Sequence, residues 1–220
     1  MISHQDGSAD RVESKPSQVA ETTDWREIAD RCRLIPSLAR PQRHFDRDGT
    51  RRIPFLSAMS MLGAKGNDTR SYMEIVDALR LHGAAPKPDM EQLWRRLVFN
   101  ILISNTHDHL RNHGFLYAGQ EGWRLSPAYD LNPVPVDVKP RILTTAINED
   151  DGTASLDLAM SVAEYFVLKK DNAKAIAAQV GKAVSTWRAE AARHGIGKDE
   201  IDRMATAFEH DDLKKAQGAG

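Results

Sequence analysis

The 220-residue sequence has one cysteine, Cys32, so no internal disulfide can form and cysteine-built scaffolds are excluded. No apolar run approaches the roughly eighteen residues that span a bilayer, and the amino terminus lacks a signal-peptide core. Neither sign of charge is in excess: 30 Lys and Arg stand against 31 Asp and Glu, a net charge of −1 with a pI near 6.7. No global field therefore favours nucleic acid or an anionic membrane. These absences predict a cytoplasmic protein that neither binds nucleic acid directly nor enters a membrane. Glycine is sparse in the first part of the chain, and no glycine-rich phosphate-cradling loop precedes residue 40.

What is present is enough for one sizeable domain, with 41% hydrophobic residues and four Trp. Residues 1 to 22 are polar and lack hydrophobic periodicity, which predicts a disordered tail. Thr23 and Asp24 can cap a helix with Trp25, Ile28, Ala29 and Cys32 on one face, ended by Pro36. Gln42 to Asp46 and Arg51 to Ile53 bracket Arg47-Asp48-Gly49-Thr50, a hairpin signal through its Asp-Gly pair. Pro54 reads as a helix start leading into Phe55, Met59 and Leu62, closed by Gly63. Tyr72, Ile75, Val76 and Leu79 mark a second helix that stops at His82-Gly83, with Pro86 and Pro88 separating it from the next.

That next helix carries Met90, Leu93, Trp94, Leu97, Val98, Ile101 and Leu102 at three-and-four spacing, which predicts one buried face. Ser104-Asn105-Thr106 ends it, because their short polar side chains compete for backbone hydrogen bonds. The following loop crowds His107, Asp108, His109, Asn112 and His113 into seven positions. Gly114 to Tyr117 and Gly122 to Leu125 flank a turn-like interval and read as a β-hairpin, which delivers Asp130 just beyond its second strand. The histidines lack a cysteine or the helical spacing of a zinc site. Phe45 reads as a core aromatic, and Asp108 either as a turn cap or as a chemical group.

Downstream, Asn132 to Pro140 is proline-interrupted and Ile142 to Ile147 reads as an apolar strand. Asp150-Asp151-Gly152 lacks the distal ligands of a calcium loop and reads as a solvated turn. Helices are predicted over Leu156 to Phe166, Ala173 to Val180, Gly181 to His194 and Lys198 to Phe208, with Asp211 to Gly220 fraying. The domain is thus placed at 23–210, between tails at 1–22 and 211–220.

Helix, polar loop, hairpin and a lone Asp is the order in which a protein-kinase C-lobe presents its phosphotransfer groups. There a catalytic-loop Asp lies five positions before an Asn that binds Mg²⁺, and a later Asp holds the other metal contact. Asn112 and Asp130 fit the ligand roles. Counting back five from Asn112 gives His107, with Asp108 the nearest carboxylate, so Asp108, or else His107, is the candidate proton acceptor.

The chain also resembles the HipA-like serine/threonine kinase toxins of bacterial type II toxin–antitoxin systems. The resemblance rests on Asn105-Thr106, on Asp108-His109-Leu110-Arg111-Asn112-His113-Gly114-Phe115-Leu116, and on Trp123-Arg124-Leu125-Ser126-Pro127-Ala128-Tyr129-Asp130-Leu131. It extends more loosely from His44-Phe45-Asp46-Arg47 to Phe208. It implies a mainly helical α+β unit like a kinase C-lobe with small hairpins, ATP and Mg²⁺ as cofactors, and Phe45 near the adenine. It also implies a helix-turn-helix antitoxin as partner and a protein target in translation, such as an aminoacyl-tRNA synthetase. The family carries its catalytic Asp where this chain has His107, and no Val-Ala-x-Lys-like strand precedes residue 40, so the upper ATP-covering lobe is expected to be largely missing. A second reading is therefore open: a non-catalytic pseudokinase module that docks an antitoxin or a separately encoded upper lobe.

Overall fold

The computed structural model describes residues 45–66 and 68–218. The polar segment 1–22 and the helix predicted between Thr23 and Pro36 lie outside them. The Asp-Gly hairpin forms as predicted, but tighter: β1 (Arg47–Asp48) pairs with β2 (Arg51–Arg52), with Asp48 opposite Arg51. That register leaves a two-residue turn in which Gly49 takes φ 61°. Pro54, by contrast, does not open a helix. Phe55–Ser57 is a strand, β3, and helix α1 (Ala58–Met61) begins only after Ser57. β4 (Gly114–Tyr117) pairs antiparallel with β3, Leu56 opposite Phe115, and β5 (Trp123–Leu125) pairs on the other edge of β4. A partner so distant along the chain overrides a local helix signal.

α2 (Tyr72–His82) starts where the Glu74 carboxylate accepts from the Ser71 amide at 2.9 Å, and it ends at Gly83. α3 (Pro86–Leu102) then begins at Pro86 itself, so the two prolines belong to its first turn, where no amide donor is needed. The periodicity of α3 predicted one buried face. Instead every residue from Leu93 to Leu102 is buried, because α2, β5, α5 and α9 pack around it. Asp89, in the first turn, accepts both Arg124 Nε and Nη2 at 2.9 Å and the Leu125 amide at 3.0 Å, fixing α3 against β5.

The carboxy-terminal part is helical: α4 (Leu156–Ser161), a single tight turn over Ala163–Phe166, α5 (Lys170–Val184), α6 (Trp187–Arg193), α7 (Lys198–Arg203), α8 (Ala205–Phe208) and α9 (Asp211–Ala216). The break predicted at Gly181 is absent. α5 runs through it, and Gly181 serves a close approach instead: a Cβ there would meet the Ala216 Cβ at 2.8 Å.

Two further expectations are corrected. The segment Asp211 to Ala216 does not fray but folds as α9 against α5, with Leu213 and Ala216 buried. Its acidic residues read as a solvated tail, yet Asp212 accepts the Leu156 amide at 2.8 Å with one oxygen and Arg141 Nη1 at 2.8 Å with the other. Ile142 to Ile147 is not a strand either; it makes isolated bridges to Thr153 and to Ser71. Its polar groups are committed to the loop before β4, as described below.

His210, at the start of α9, is pulled down to about 4, first by burial and then by the Arg141 charge; Asp212 and the carbonyls of Leu102 and Ala207 only partly offset this. The folded state therefore favours neutral His210. Its contribution is fully present above the ordinary pKa of 6.5 and is lost as pH falls toward 4, because only the unfolded chain takes the proton in that window. The expected loss is on the order of 3 kcal/mol. Urea midpoints measured from pH 7 to 4 should show this slope, and His210→Gln should flatten it; equal slopes in both proteins would contradict the assignment.

Candidate active site

The loop between α3 and β4 is shaped by a reversal at its start. Ser104 adopts φ 53°, its hydroxyl donates to the Ala207 carbonyl at 2.8 Å, and Arg141 binds the same hydroxyl and the Ile101 carbonyl at 3.0 Å each. The Ile101 carbonyl, in the last turn of α3, thus also accepts from a cation, as a helix carboxy terminus favours.

Asp108 then turns inward. It is 1% exposed, and its carboxylate accepts from the Tyr72 hydroxyl with one oxygen and from His113 Nε2 at 2.7 Å with the other. Behind Tyr72 the network continues: Asn100 Nδ2 donates to the Tyr72 oxygen at 3.0 Å, and Asn105 Nδ2 donates to Asn100 Oδ1 at 3.1 Å. The His113 ring stands edge-on to Tyr72 with centroids 5.2 Å apart. The backbone of Asp108 is held from the far side, where Thr145 donates to its carbonyl through the amide at 2.9 Å and the hydroxyl at 2.7 Å. Thr144 likewise binds the Thr106 carbonyl at 2.8 Å. These bonds explain why Ile142 to Ile147 forms no ladder.

Burial pushes the Tyr72 phenol well above its ordinary range, and the Asp108 charge pushes it further. Close by, Arg96 lies fully inside the protein, donating Nη2 to the Ser126 carbonyl at 2.7 Å; burial pulls its guanidinium down, while the nearby tyrosines, Asp108 and Asp89 oppose that shift.

Asp108, one of the two candidate proton acceptors, is buried with a hydrogen bond on each oxygen, so in this structure it supports the loop. His107 is exposed, and it occupies the position five residues before Asn112. Asn112 Nδ2 donates to the His107 carbonyl at 3.1 Å, and the Asn112 amide donates to His109 at 2.8 Å, closing a tight turn over Leu110–Asn112. The amide oxygen of Asn112 receives no protein donor among the described residues.

Asp130 lies in an exposed irregular segment with φ 55°, a conformation that few residues other than glycine adopt. One of its oxygens accepts Asn132 Nδ2 at 2.7 Å. Its other oxygen, like that of Asn112, is without a protein donor among the described residues, so both are hard oxygen donors suited to Mg²⁺. Among the described residues no group of three or more His, Cys, Asp or Glu is placed to hold a metal ion.

A residue the sequence reading did not single out ties these parts together. The Tyr129 hydroxyl donates to the Arg111 carbonyl at 2.7 Å, joining the residue before Asp130 to the residue before Asn112. Its ring stacks on Phe45 with centroids 5.4 Å apart and planes 25° apart, and Phe55 completes the aromatic group. Burial pushes the Tyr129 phenol up to about 12, with the Arg96 charge opposing and the Asp130 charge assisting. Phe45 is half-buried in this trio, so it serves as packing and stands beside the Asp130 segment at once. Tyr129 was visible only as an aromatic next to an acid, a signal shared by many surface turns.

Asp108→Ala should destabilise the protein by about 3–5 kcal/mol in denaturant unfolding, because it strands the Tyr72 hydroxyl and His113 in the core. A loss below about 1 kcal/mol would show that the network is not a support.

Residues 29–187 match the family model for the HipA-like C-terminal domain. The chain is 28% identical over 86 residues to a protein of Haemophilus influenzae named "Putative kinase", covering 39% of this chain and 24% of that one. Its fold is similar to HipA of Shewanella oneidensis MR-1, from a structure of HipA, HipB and operator DNA, with a TM-score of 0.57, 16% identity, and coverage of 80% of this chain and 46% of that one. The chain thus spans 24% to 46% of the length of these relatives. On the match over residues 29–187, the chain belongs to the family of HipA-like C-terminal domains.

Proposed function

We propose that this chain is the C-terminal lobe of a HipA-like serine/threonine kinase, acting on a protein hydroxyl and carrying a weakened or silent phosphotransfer centre. The observation that carries the reading is the Asn112 side chain bound to the backbone of position 107, five residues earlier, with the Asp130 segment strapped to the same loop. Asn112 and Asp130 would hold Mg²⁺, which would neutralise the charge of the ATP polyphosphate. By the family resemblance, Phe45, stacked on Tyr129, would contact the adenine. His107 occupies the place of the proton acceptor. An imidazole carries no negative charge and is a poorer partner than a carboxylate for a Mg²⁺-bearing site, so transfer would be slow.

A pseudokinase that docks a partner is the second reading, and His107 is the observation that favours it. In either case a HipB-like antitoxin is the proposed partner, since the Shewanella neighbour is a complex with HipB and DNA. A translation protein is the proposed target and the cytoplasm the proposed location. Among the described residues no helix is long and apolar enough to cross a membrane.

The test compares the purified chain with its His107→Asp variant, using labelled ATP with and without Mg²⁺. Both should bind ATP in a Mg²⁺-dependent way, and His107→Asp should raise transfer by about 10²-fold or more, the usual contribution of a placed general base. Binding without any rise would leave the docking reading, and no Mg²⁺-dependent binding in either protein would contradict both the ligand pair and the kinase reading.

A further inference from the structure

We infer that Tyr129 is a positioning residue for the cation site, a strap whose hydroxyl sets how far the Asp130 segment stands from the Asn112 loop. The inference rests on Asn112 and Asp130 being the cation ligands.

Each of the two proposed ligands is held locally by one side-chain bond: Asn112 by its bond to the His107 carbonyl, and Asp130 by Asn132 two residues on. Neither bond reaches the other ligand's segment. The Tyr129 hydroxyl does, because it lands on the carbonyl of Arg111, the immediate neighbour of Asn112. Asp130 cannot set its own direction, since its φ of 55° lies in a sparsely populated region that only its surroundings sustain.

The ring end of Tyr129 is fixed as well, stacked on Phe45 and tilted against Phe55, so the phenol has little freedom to swing away. The base of the same segment is anchored separately, by Arg96 on the Ser126 carbonyl. The segment leading into Asp130 is thus held at two points, the Ser126 carbonyl and the Tyr129 hydroxyl. A cation that must meet two hard ligands gains affinity when their spacing is set in advance, and residues that orient metal ligands from behind typically control affinity by 10- to 100-fold, roughly.

Tyr129→Phe is a clean probe, because it keeps the ring contacts and removes only the hydroxyl bond. Two measurements on the full chain separate the claims. Backbone amide exchange should accelerate at Arg111 to His113 in Tyr129→Phe while core amides such as those of Leu97 and Val98 keep their protection. Mn²⁺ affinity, followed by electron paramagnetic resonance of the free ion, should fall about 10-fold with and without ATP. ATP affinity without metal should not change.

Tyr165→Phe is the control: it removes a comparable surface hydroxyl from its bonds to Asp77 and should alter neither readout. Unchanged exchange and unchanged Mn²⁺ affinity in Tyr129→Phe would overturn the inference. Faster exchange in a protein whose wild type binds no Mn²⁺ would also overturn it, reducing Tyr129 to a structural tie and removing the kinase reading with it.

Discussion

Asp108 is a carboxylate taken out of water and answered by two hydrogen-bond donors, the Tyr72 hydroxyl and the His113 ring. Such a group is costly unless every oxygen is satisfied, so its partners must arrive in place for the loop to close. Tyr72 comes from α2, His113 from the lip of β4, and Thr145 grips the Asp108 carbonyl from the segment after the hairpin. The bonds of this one residue thus draw three separate parts of the chain together. The His107 side chain takes no part in that closure, and Asn112 joins it only through its Nδ2 on the His107 carbonyl. One is exposed to solvent, and the other keeps an oxygen without a protein donor among the described residues.

The two ends of the site depend on this support in different ways. The Asn112 end is a tight turn whose bonds are internal and whose foundation is the buried network. The Asp130 end is a segment hung from Arg96 and Tyr129, one a cation held in the core and the other an aromatic packed at the surface. The fold agrees with the HipA neighbour, and the family match covers the residues of both ends. In the proposed reading His107 stands at the sequence position of the family's proton acceptor, and Asp108, the neighbouring carboxylate, faces the core. Such an exchange would suit the slow enzyme or the docking module proposed above.

Much of this was legible in the sequence, and what was not has identifiable causes. The polar loop, the hairpin after it and the helix before it were readable because each is signalled by its own residues: Ser104-Asn105-Thr106 as a stop, glycines at the hairpin, apolar spacing along α3. The strand at Phe55–Ser57 was not, because its pairing lies far along the chain. α9 was misread as a tail because Asp211 and Asp212 look solvated until Arg141 and the Leu156 amide are seen to meet Asp212. That Asp108 is buried and His107 exposed was hidden for a related reason. Proximity in sequence does not tell which of two neighbouring side chains points to the core, and only the placement of Tyr72 and His113 decides it. Tyr129 carried no local signal of its role, since a hydroxyl's partner is invisible until the two loops are brought together.

The account stands on Asn112 and Asp130 sharing one divalent ion. The most direct measurement is a crystal structure of the chain with Mn²⁺ and a non-hydrolysable ATP analogue, with the ion located by anomalous scattering. The account predicts one ion bound by the side-chain oxygens of both residues, at about 2.0–2.3 Å. An ion held by only one of them, or seated elsewhere on the protein, would contradict it.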